Sequence, residues 1–111
     1  MSQFPLEVDV QEVKNLLDKN EDFVLLDCRE TNEFEFVSIN GSTLIPMSEI
    51  QQRVEELNDH KNAHIVVHCH HGGRSLQVAN WLRMQGFERT QSMAGGIDSW
   101  STQIDPSLPR Y

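Results

Sequence analysis

A cysteine followed by a glycine pair and an arginine is the segment of this sequence best suited to chemistry. In VVHCHHGGRSLQVANWL, residues 66–82, Cys69 follows an apolar run, and Gly72, Gly73 and Arg74 come shortly after it. A turn through two glycines can aim several backbone N–H groups at one point, and a helix starting there adds the positive end of its dipole. Arginine adds a permanent cation. The pattern therefore predicts a lowered pKa for the Cys69 thiol and a reactive thiolate.

A free cysteine can instead be a small hydrophobic residue of the core, and Cys69 taken alone fits that interpretation equally well. The glycines, the arginine and the helix start favour the reactive interpretation. The second cysteine, Cys28, lies 41 positions earlier and forms no Cys-x-x-Cys pair with Cys69. Two such cysteines form neither a disulfide framework nor a structural zinc site, so we expect reduced thiols.

A group of potential metal ligands also surrounds the cysteine: His64, His68, Cys69, His70 and His71. If residues 64–68 form a strand, the first two histidines lie about 13 Å apart, too far to share one ion. Adjacent histidines also rarely converge on one ion. We therefore expect no metal and no other cofactor.

Composition and charge limit the class of protein. The 111 residues carry a net charge of −8, and 38% of them are hydrophobic, which predicts one globular domain over residues 1–111. Residues 1–59 hold 14 acidic against 4 basic side chains, whereas residues 60–111 hold 3 against 5. An acidic chain argues against nucleic acid as a partner. We also expect no membrane span and no secretory signal, and hence a cytoplasmic protein.

Short apolar runs alternate with helical patterns along the chain. Strands are predicted in four segments: 22–27, 43–47 (ended by Pro46), 63–69 and 89–93. Helices are predicted in five: 8–18 with a possible Asp9/Glu12 capping box, a short turn 31–36 started by Thr31, 48–57 with a Ser48/Gln51 cap pattern, 72–87 with Gly86 at its end, and 95–104. This alternation predicts an α/β fold with a mainly parallel sheet covered on both faces. Ligands of such sheets bind at the carboxyl ends of strands, which is where Cys69 falls.

Four segments resemble the single-domain rhodanese sulfurtransferases, in the order of that family. CHHGGRS is similar to the family loop Cys-x-x-Gly-x-Arg-Ser, and LLDCRETNEF to its Asp-x-Arg-Glu stretch. INGSTLIPM is similar to Ile-x-Gly-Ala-x-x-Ile-Pro-Leu, and MAGGIDSW to the closing Gly-Gly-x-x-x-Trp. The resemblance implies an α/β three-layer sandwich with a mainly parallel central sheet of about five strands and helices on both faces. Residues 37–40 depart from the family's Gly-His-Ile-Pro, so the shape of that connection is open.

The resemblance implies sulfur transfer in two covalent steps. Cys69 would attack a sulfane sulfur of a donor such as thiosulfate, hold it as a persulfide and pass it to a thiol or cyanide acceptor. The bound sulfur would be cradled by backbone amides of the loop, in the segment that runs through His70, His71, Gly72 and Gly73 to Ser75. Arg74 would orient the loop or the anionic end of the donor. The Ser75 hydroxyl could join this cradle or cap the helix.

Three residues near the first predicted buried strand are assigned less direct roles. Asp27 and Arg29 are expected to support the neighbouring loop without touching substrate. Cys28 is expected to be a core residue. Its strand should neighbour the Cys69 strand, so a disulfide or a resolving role is a hypothesis if the two Cα atoms lie within about 7 Å.

Other functions remain open. Cysteine-dependent phosphatases and arsenate reductases place five residues between their cysteine and arginine, whereas four separate Cys69 from Arg74. The shorter loop should suit a sulfur atom better than a tetrahedral oxyanion. A noncatalytic or carrier module that docks a protein partner is the other alternative, and a protein persulfide could be donor or acceptor.

Overall fold

The computed structural model describes residues 4–111 and contains one parallel sheet flanked by helices. The strands are β1 (Glu7–Val8), β2 (Phe23–Asp27), β3 (Thr43–Leu44), β4 (His64–His68) and β5 (Thr90–Met93). The helices are α1 (Val10–Asp18), α2 (Thr31–Phe36), α3 (Ile50–Arg53), a 3-10 helix (Val54–His60), α4 (Gly73–Met84) and α5 (Gly96–Gln103).

The sheet has the order β1-β5-β4-β2-β3, and every pairing in it is parallel. β4 lies at its centre, where Asp27 of β2 is the register partner of His68. Residues of the central strands alternate between two buried faces, which explains their nearly continuous apolar sequences. The carboxyl end of β4, which leads into Cys69, therefore lies in the middle of one sheet edge.

Helices cover both faces of the sheet, so the expected three-layer α/β sandwich is confirmed. One core layer lies under α3 and α4 and includes Leu26, Val67 and Cys69. The other lies under α1 and α5 and includes Val66 and Trp100. Within residues 4–111, no helix is long and apolar enough to cross a membrane.

Most predicted elements are present, and the best-patterned helices agree well. α1 begins after Asp9, whose carboxylate accepts a hydrogen bond of 2.8 Å from the Glu12 amide. α4 ends just before Gly86, which adopts a positive φ of 100° as expected after a helix. The weakly patterned strand at 89–93 is also present as β5, and all four of its residues are buried.

The predicted helix over 48–57 is wrong in its start and in its form. α3 begins only at Ile50 and gives way to the 3-10 helix at Val54. Ser48 does not cap it, because its hydroxyl donates to the Glu30 carboxylate at 2.8 Å. The hydroxyl that could cap the helix is bound instead by Glu30, 18 positions earlier in the chain. Local residue spacing does not reveal such a distant partner.

The short turn predicted over 31–36 is present as α2, which begins at Thr31 as expected. Glu30 is its cap residue and forms a capping box with Glu33. β1 was not expected, because a two-residue edge strand is too short to show any periodicity.

Candidate functional site

Cys69 lies directly after β4, in the loop that leads into α4. Gly72 is the cap residue of α4 and has a φ of 111°, a region that favours glycine. A side chain there would also press on the Gly95 amide, 3.2 Å from the position of its Cβ. The tight turn therefore depends on glycine, and it brings the start of α4 onto the cysteine.

Two backbone amides point at the Cys69 sulfur. The amides of Gly72 and Ser75 donate to Sγ at 3.1 and 3.3 Å. The Ser75 hydroxyl lies 3.5 Å from Sγ. Cys69 is only 1% exposed, so its sulfur is stabilised by these protein donors and not by water. The arrangement suits a buried thiolate or a persulfide anion.

The pKa of the Cys69 thiol lies well below its ordinary value. Its largest cause is a hydrogen bond from the Cys28 thiol; burial acts in the opposite direction, and hydrogen bonds from Ser75 and Gly72 add to the lowering. The sequence predicted that the charge of Arg74 would help to lower the pKa of Cys69. The principal causes of the lowering are instead hydrogen bonds to the sulfur. Hydrogen bonds that stabilise the anion outweigh its desolvation.

Cys28 is a buried free thiol next to Cys69. It follows Asp27, the register partner of His68, and its amide donates to the His68 carbonyl at 3.0 Å. Its pKa is raised by the hydrogen bond to Cys69 and by burial. The two neighbouring thiols therefore have pKa values shifted in opposite directions, upward for Cys28 and downward for Cys69. A redox role for Cys28 stays a hypothesis.

Ser75 is not the cap of α4, so that interpretation of its hydroxyl is wrong. The residue lies in the first turn of the helix and is fully buried. Its hydroxyl contacts the Gly72 carbonyl at 3.2 Å and the Ser92 hydroxyl at 2.7 Å, in addition to the cysteine sulfur. Ser75 therefore connects the sulfur to the end of β5.

Arg74 forms a two-pronged ion pair with Glu33 of α2. Its two terminal nitrogens donate to the two carboxylate oxygens at 2.7 and 2.9 Å. This pairing holds the pKa of Glu33 at about 2 and raises that of Arg74. The Arg74 guanidinium therefore fixes the loop to α2, and the Glu33 carboxylate neutralises its charge.

Asp27 and Arg29 are completely buried beneath the site. The Arg29 guanidinium holds the Asp27 carboxylate at 3.0 and 2.7 Å and donates to the Val37 carbonyl at 2.6 Å. The departure from the family at residues 37–40 thus includes an anchor for Arg29 through a backbone carbonyl. Both Val37 and Ile39 are buried, so this connection packs into the core.

The histidines near the cysteine do not converge on one point. His68 is fully buried, whereas the His64 ring contacts the Gln91 side chain at 2.7 Å. The rings of His70 and His71 contact each other in a tilted arrangement, with centroids 3.8 Å apart. Among residues 4–111, no group of three or more His, Cys, Asp or Glu side chains is placed to hold a metal ion.

The first turn of α5 supports the cysteine loop from the other side. The amides of Ile97 and Asp98 donate to the carbonyls of Cys69 and His70 at 2.8 and 3.1 Å. Gly96 makes this approach possible, because a side chain there would collide with both carbonyl groups. The glycine pair in the closing segment is thus part of the site's scaffold.

Sequence reasoning missed two residues that contact the site. Glu33 lies 41 positions from Arg74, and nothing in its local pattern distinguishes it from the other acidic residues of the first half. Tyr111 stacks on His70 with ring centroids 3.9 Å apart. One signal could have pointed to a residue such as Glu33: if Arg74 is partly buried, its positive charge needs a carboxylate partner. Tyr111 gave no signal.

Comparisons with known proteins agree with this geometry. The family model of the rhodanese-like domain matches residues 9–103. An uncharacterized 16.5 kDa protein of Synechococcus elongatus is 44% identical over 115 residues, covering 100% of this chain and 73% of that protein. The adenylyltransferase and sulfurtransferase MOCS3 of Arabidopsis thaliana is 30% identical over 118 residues, covering 94% of this chain and 25% of that protein.

A solved structure extends the likeness to three dimensions. The rhodanese-like domain protein from Staphylococcus aureus superposes with a TM-score of 0.80 at 26% identity, covering 100% of this chain and 99% of that one. The chain spans between about a quarter and about half of the length of several curated relatives. The match over most of its residues shows that this chain belongs to the rhodanese-like domain family.

Proposed function

We propose that the protein is a sulfurtransferase that carries a sulfane sulfur on Cys69. The observation that supports this most strongly is the pair of Gly72 and Ser75 amides aimed at a buried sulfur. The same donors can stabilise the thiolate before the reaction and the persulfide after it. A relative whose name includes sulfurtransferase activity is consistent with the proposal.

The reaction proceeds in two displacements. The Cys69 thiolate attacks the outer sulfur of the donor, an S–S bond forms, and the bond within the donor breaks; thiosulfate would release sulfite. A nucleophilic acceptor, cyanide or a thiol, then attacks the outer sulfur of the persulfide. That step returns the thiolate, with thiocyanate or a new persulfide as product. Electrons balance without an external oxidant.

The geometry favours this chemistry over phosphate or arsenate transfer. Four residues separate Cys69 from Arg74, and both terminal nitrogens of Arg74 are bonded to Glu33. An oxyanion would need that guanidinium as a clamp. The amides of Gly72 and Ser75 remain at the sulfur and can stabilise a thiolate or a persulfide without that guanidinium.

Intact-mass analysis after incubation with thiosulfate tests the proposal. The wild-type protein is expected to gain one sulfur atom, about 32 Da, mapped to the peptide that contains Cys69. Cys69→Ala should gain none, whereas Cys28→Ala should still gain one. Cyanide should remove the added sulfur as thiocyanate.

Steady-state assays complete this test. Thiosulfate:cyanide transfer should be abolished in Cys69→Ala and strongly reduced in Arg74→Ala. Equal transfer by Cys69→Ala would contradict the mechanism. A wild-type protein that takes up no sulfur from thiosulfate or from glutathione persulfide would instead favour a noncatalytic docking module.

A further inference from the structure

The Tyr111 side chain lies against the loop that holds Cys69. Its ring stacks on the His70 imidazole, with centroids 3.9 Å apart and planes only 7° from parallel. His70 directly follows Cys69, and its ring also contacts the His71 ring, with centroids 3.8 Å apart. The His70 ring is therefore in contact with two other rings.

The Tyr111 hydroxyl joins two charged pairs of the site. It donates to Glu33 at 2.7 Å and accepts from the Arg29 guanidinium at 2.9 Å. Glu33 in turn binds Arg74, and Arg29 binds Asp27. One hydroxyl thus connects the buried ion pair beneath the loop to the arginine within the loop.

Neighbouring contacts fix the position of Tyr111. Arg110 forms two hydrogen bonds of 2.9 and 3.2 Å with Asp98 of α5, whose amide supports the His70 carbonyl. The Phe36 ring meets the Tyr111 ring edge-on at 5.9 Å. Tyr111 is still 44% exposed, so its contacts serve the loop more than the core.

We propose that Tyr111 is a positioning residue for the Cys69 loop. This inference rests on the proposed function for its consequence in catalysis. The ring restrains His70, and the hydroxyl restrains Arg74 through Glu33. These two restrained residues lie on either side of Gly72, and Ser75 follows Arg74 directly. Tyr111 thereby holds the two sulfur-binding amides in place, although it does not touch the sulfur.

Two substitutions separate the contributions of the ring and the hydroxyl. Tyr111→Phe keeps the stacking on His70 and loses both hydrogen bonds, whereas Tyr111→Ala loses all of these contacts. Met84→Ala is the matched control, because Met84 is an exposed large side chain, 81% exposed, on α4. The Tyr111 hydroxyl contributes to the pKa shifts of Glu33 and Arg29. Neither Tyr111 nor Met84 is among the groups that shift the pKa of Cys28, His68, Cys69 or Arg74.

The primary measurement is the rate of Cys69 alkylation by iodoacetamide as a function of pH, without any sulfur donor. It is made in a Cys28→Ala background, so that one thiol is followed. If Tyr111 holds the amides, the apparent pKa of Cys69 should rise by about half a unit in Tyr111→Phe and by about one unit or more in Tyr111→Ala. Met84→Ala should leave the profile unchanged.

The catalytic consequence is measured separately in the chain that retains Cys28. We expect kcat/KM for thiosulfate to fall about 3-fold in Tyr111→Phe and about 10-fold or more in Tyr111→Ala. An alkylation profile that is unchanged in both Tyr111 variants would overturn the inference, even if sulfur transfer is active. A shifted profile in a protein that takes up no sulfur would uphold it and reject the proposed function alone. If Tyr111→Ala does not fold, Tyr111→Phe decides.

Discussion

At the scale of single residues, the charge of Arg74 is balanced by the Glu33 carboxylate. The side chains are 34% and 16% exposed, so the pair is shielded from water only in part. Its fork geometry depends on the planar guanidinium, which a lysine does not reproduce. Arg74 therefore joins the loop to α2, and the amides of Gly72 and Ser75 are the backbone groups that contact the sulfur.

A double-mutant cycle tests this division of roles. Glu33→Ala and Arg74→Ala should each lower the free energy of unfolding by about 1 kcal/mol and each reduce kcat/KM for thiosulfate. The double variant should lose little more than the worse single variant, with a coupling of about 1 kcal/mol. Urea unfolding and steady-state kinetics measure both quantities. Fully additive losses would show that the pair does not act as a unit.

At the scale of elements, the site is a junction of three: β4 delivers the cysteine, α4 supplies the amides and α5 supports the loop. The approach of α5 depends on Gly96, whose φ of 61° and proximity to the carbonyls of Cys69 and His70 exclude a side chain. Gly73 opens α4 in the same loop, yet a Cβ there would meet no atom within 4 Å.

These two glycines form a matched pair for mutation. Gly96→Ala should lower the free energy of unfolding by about 3 kcal/mol or more and abolish sulfur transfer, because backbone strain and a collision add together. Gly73→Ala should change the free energy of unfolding by less than about 1 kcal/mol, since alanine suits a helix start with open space. Thermal and urea unfolding decide between them. Equal effects at both positions would remove the steric argument for Gly96.

At the scale of the whole molecule, the centre of the sheet encloses a histidine that folding keeps neutral. His68 is fully buried, and within residues 4–111 neither of its ring nitrogens has a hydrogen-bond partner. The Asp27 carboxylate is 3.9 Å away, and burial lowers the pKa of His68 to about 4. In the unfolded chain His68 has an ordinary pKa of about 6.5. Between about pH 4 and pH 6.5, His68 therefore binds a proton in the unfolded chain but not in the folded protein.

Folding stability should therefore fall as the pH decreases from about 6.5 toward 4, and this contribution should be absent above that range. From pH 7 to pH 5 we expect a loss of about 2 kcal/mol due to His68. Urea unfolding measures it best in the Cys69→Ala background, because the lowered thiol pKa also costs stability as the pH falls. His68→Gln should show a smaller decrease over the same interval. An identical decrease in both proteins would exclude His68 as its cause.

Local sequence patterns determined the strands and the cysteine loop of this protein. Runs such as residues 22–27 and 63–69 predicted buried parallel strands, because local hydrophobicity is what such strands require. The glycines and the helix start after Cys69 predicted an anion-binding loop, since backbone geometry there is a local property. The alternation of strands and helices predicted a parallel sheet covered on both faces. The family resemblance supplied the number of strands and the expected chemistry of sulfur transfer.

The contacts that complete the site were decided only by tertiary structure. Glu33 meets Arg74 across 41 positions, and Tyr111 meets Arg29 across 82. The effect of Cys28 on the pKa of Cys69 requires β2 and β4 to be neighbours in register. Such pairings depend on the order of strands in the sheet and on where the chain crosses its edge. Chain spacing carries no information about either, so local patterns could locate the sulfur and its amides but not the residues that hold them in place.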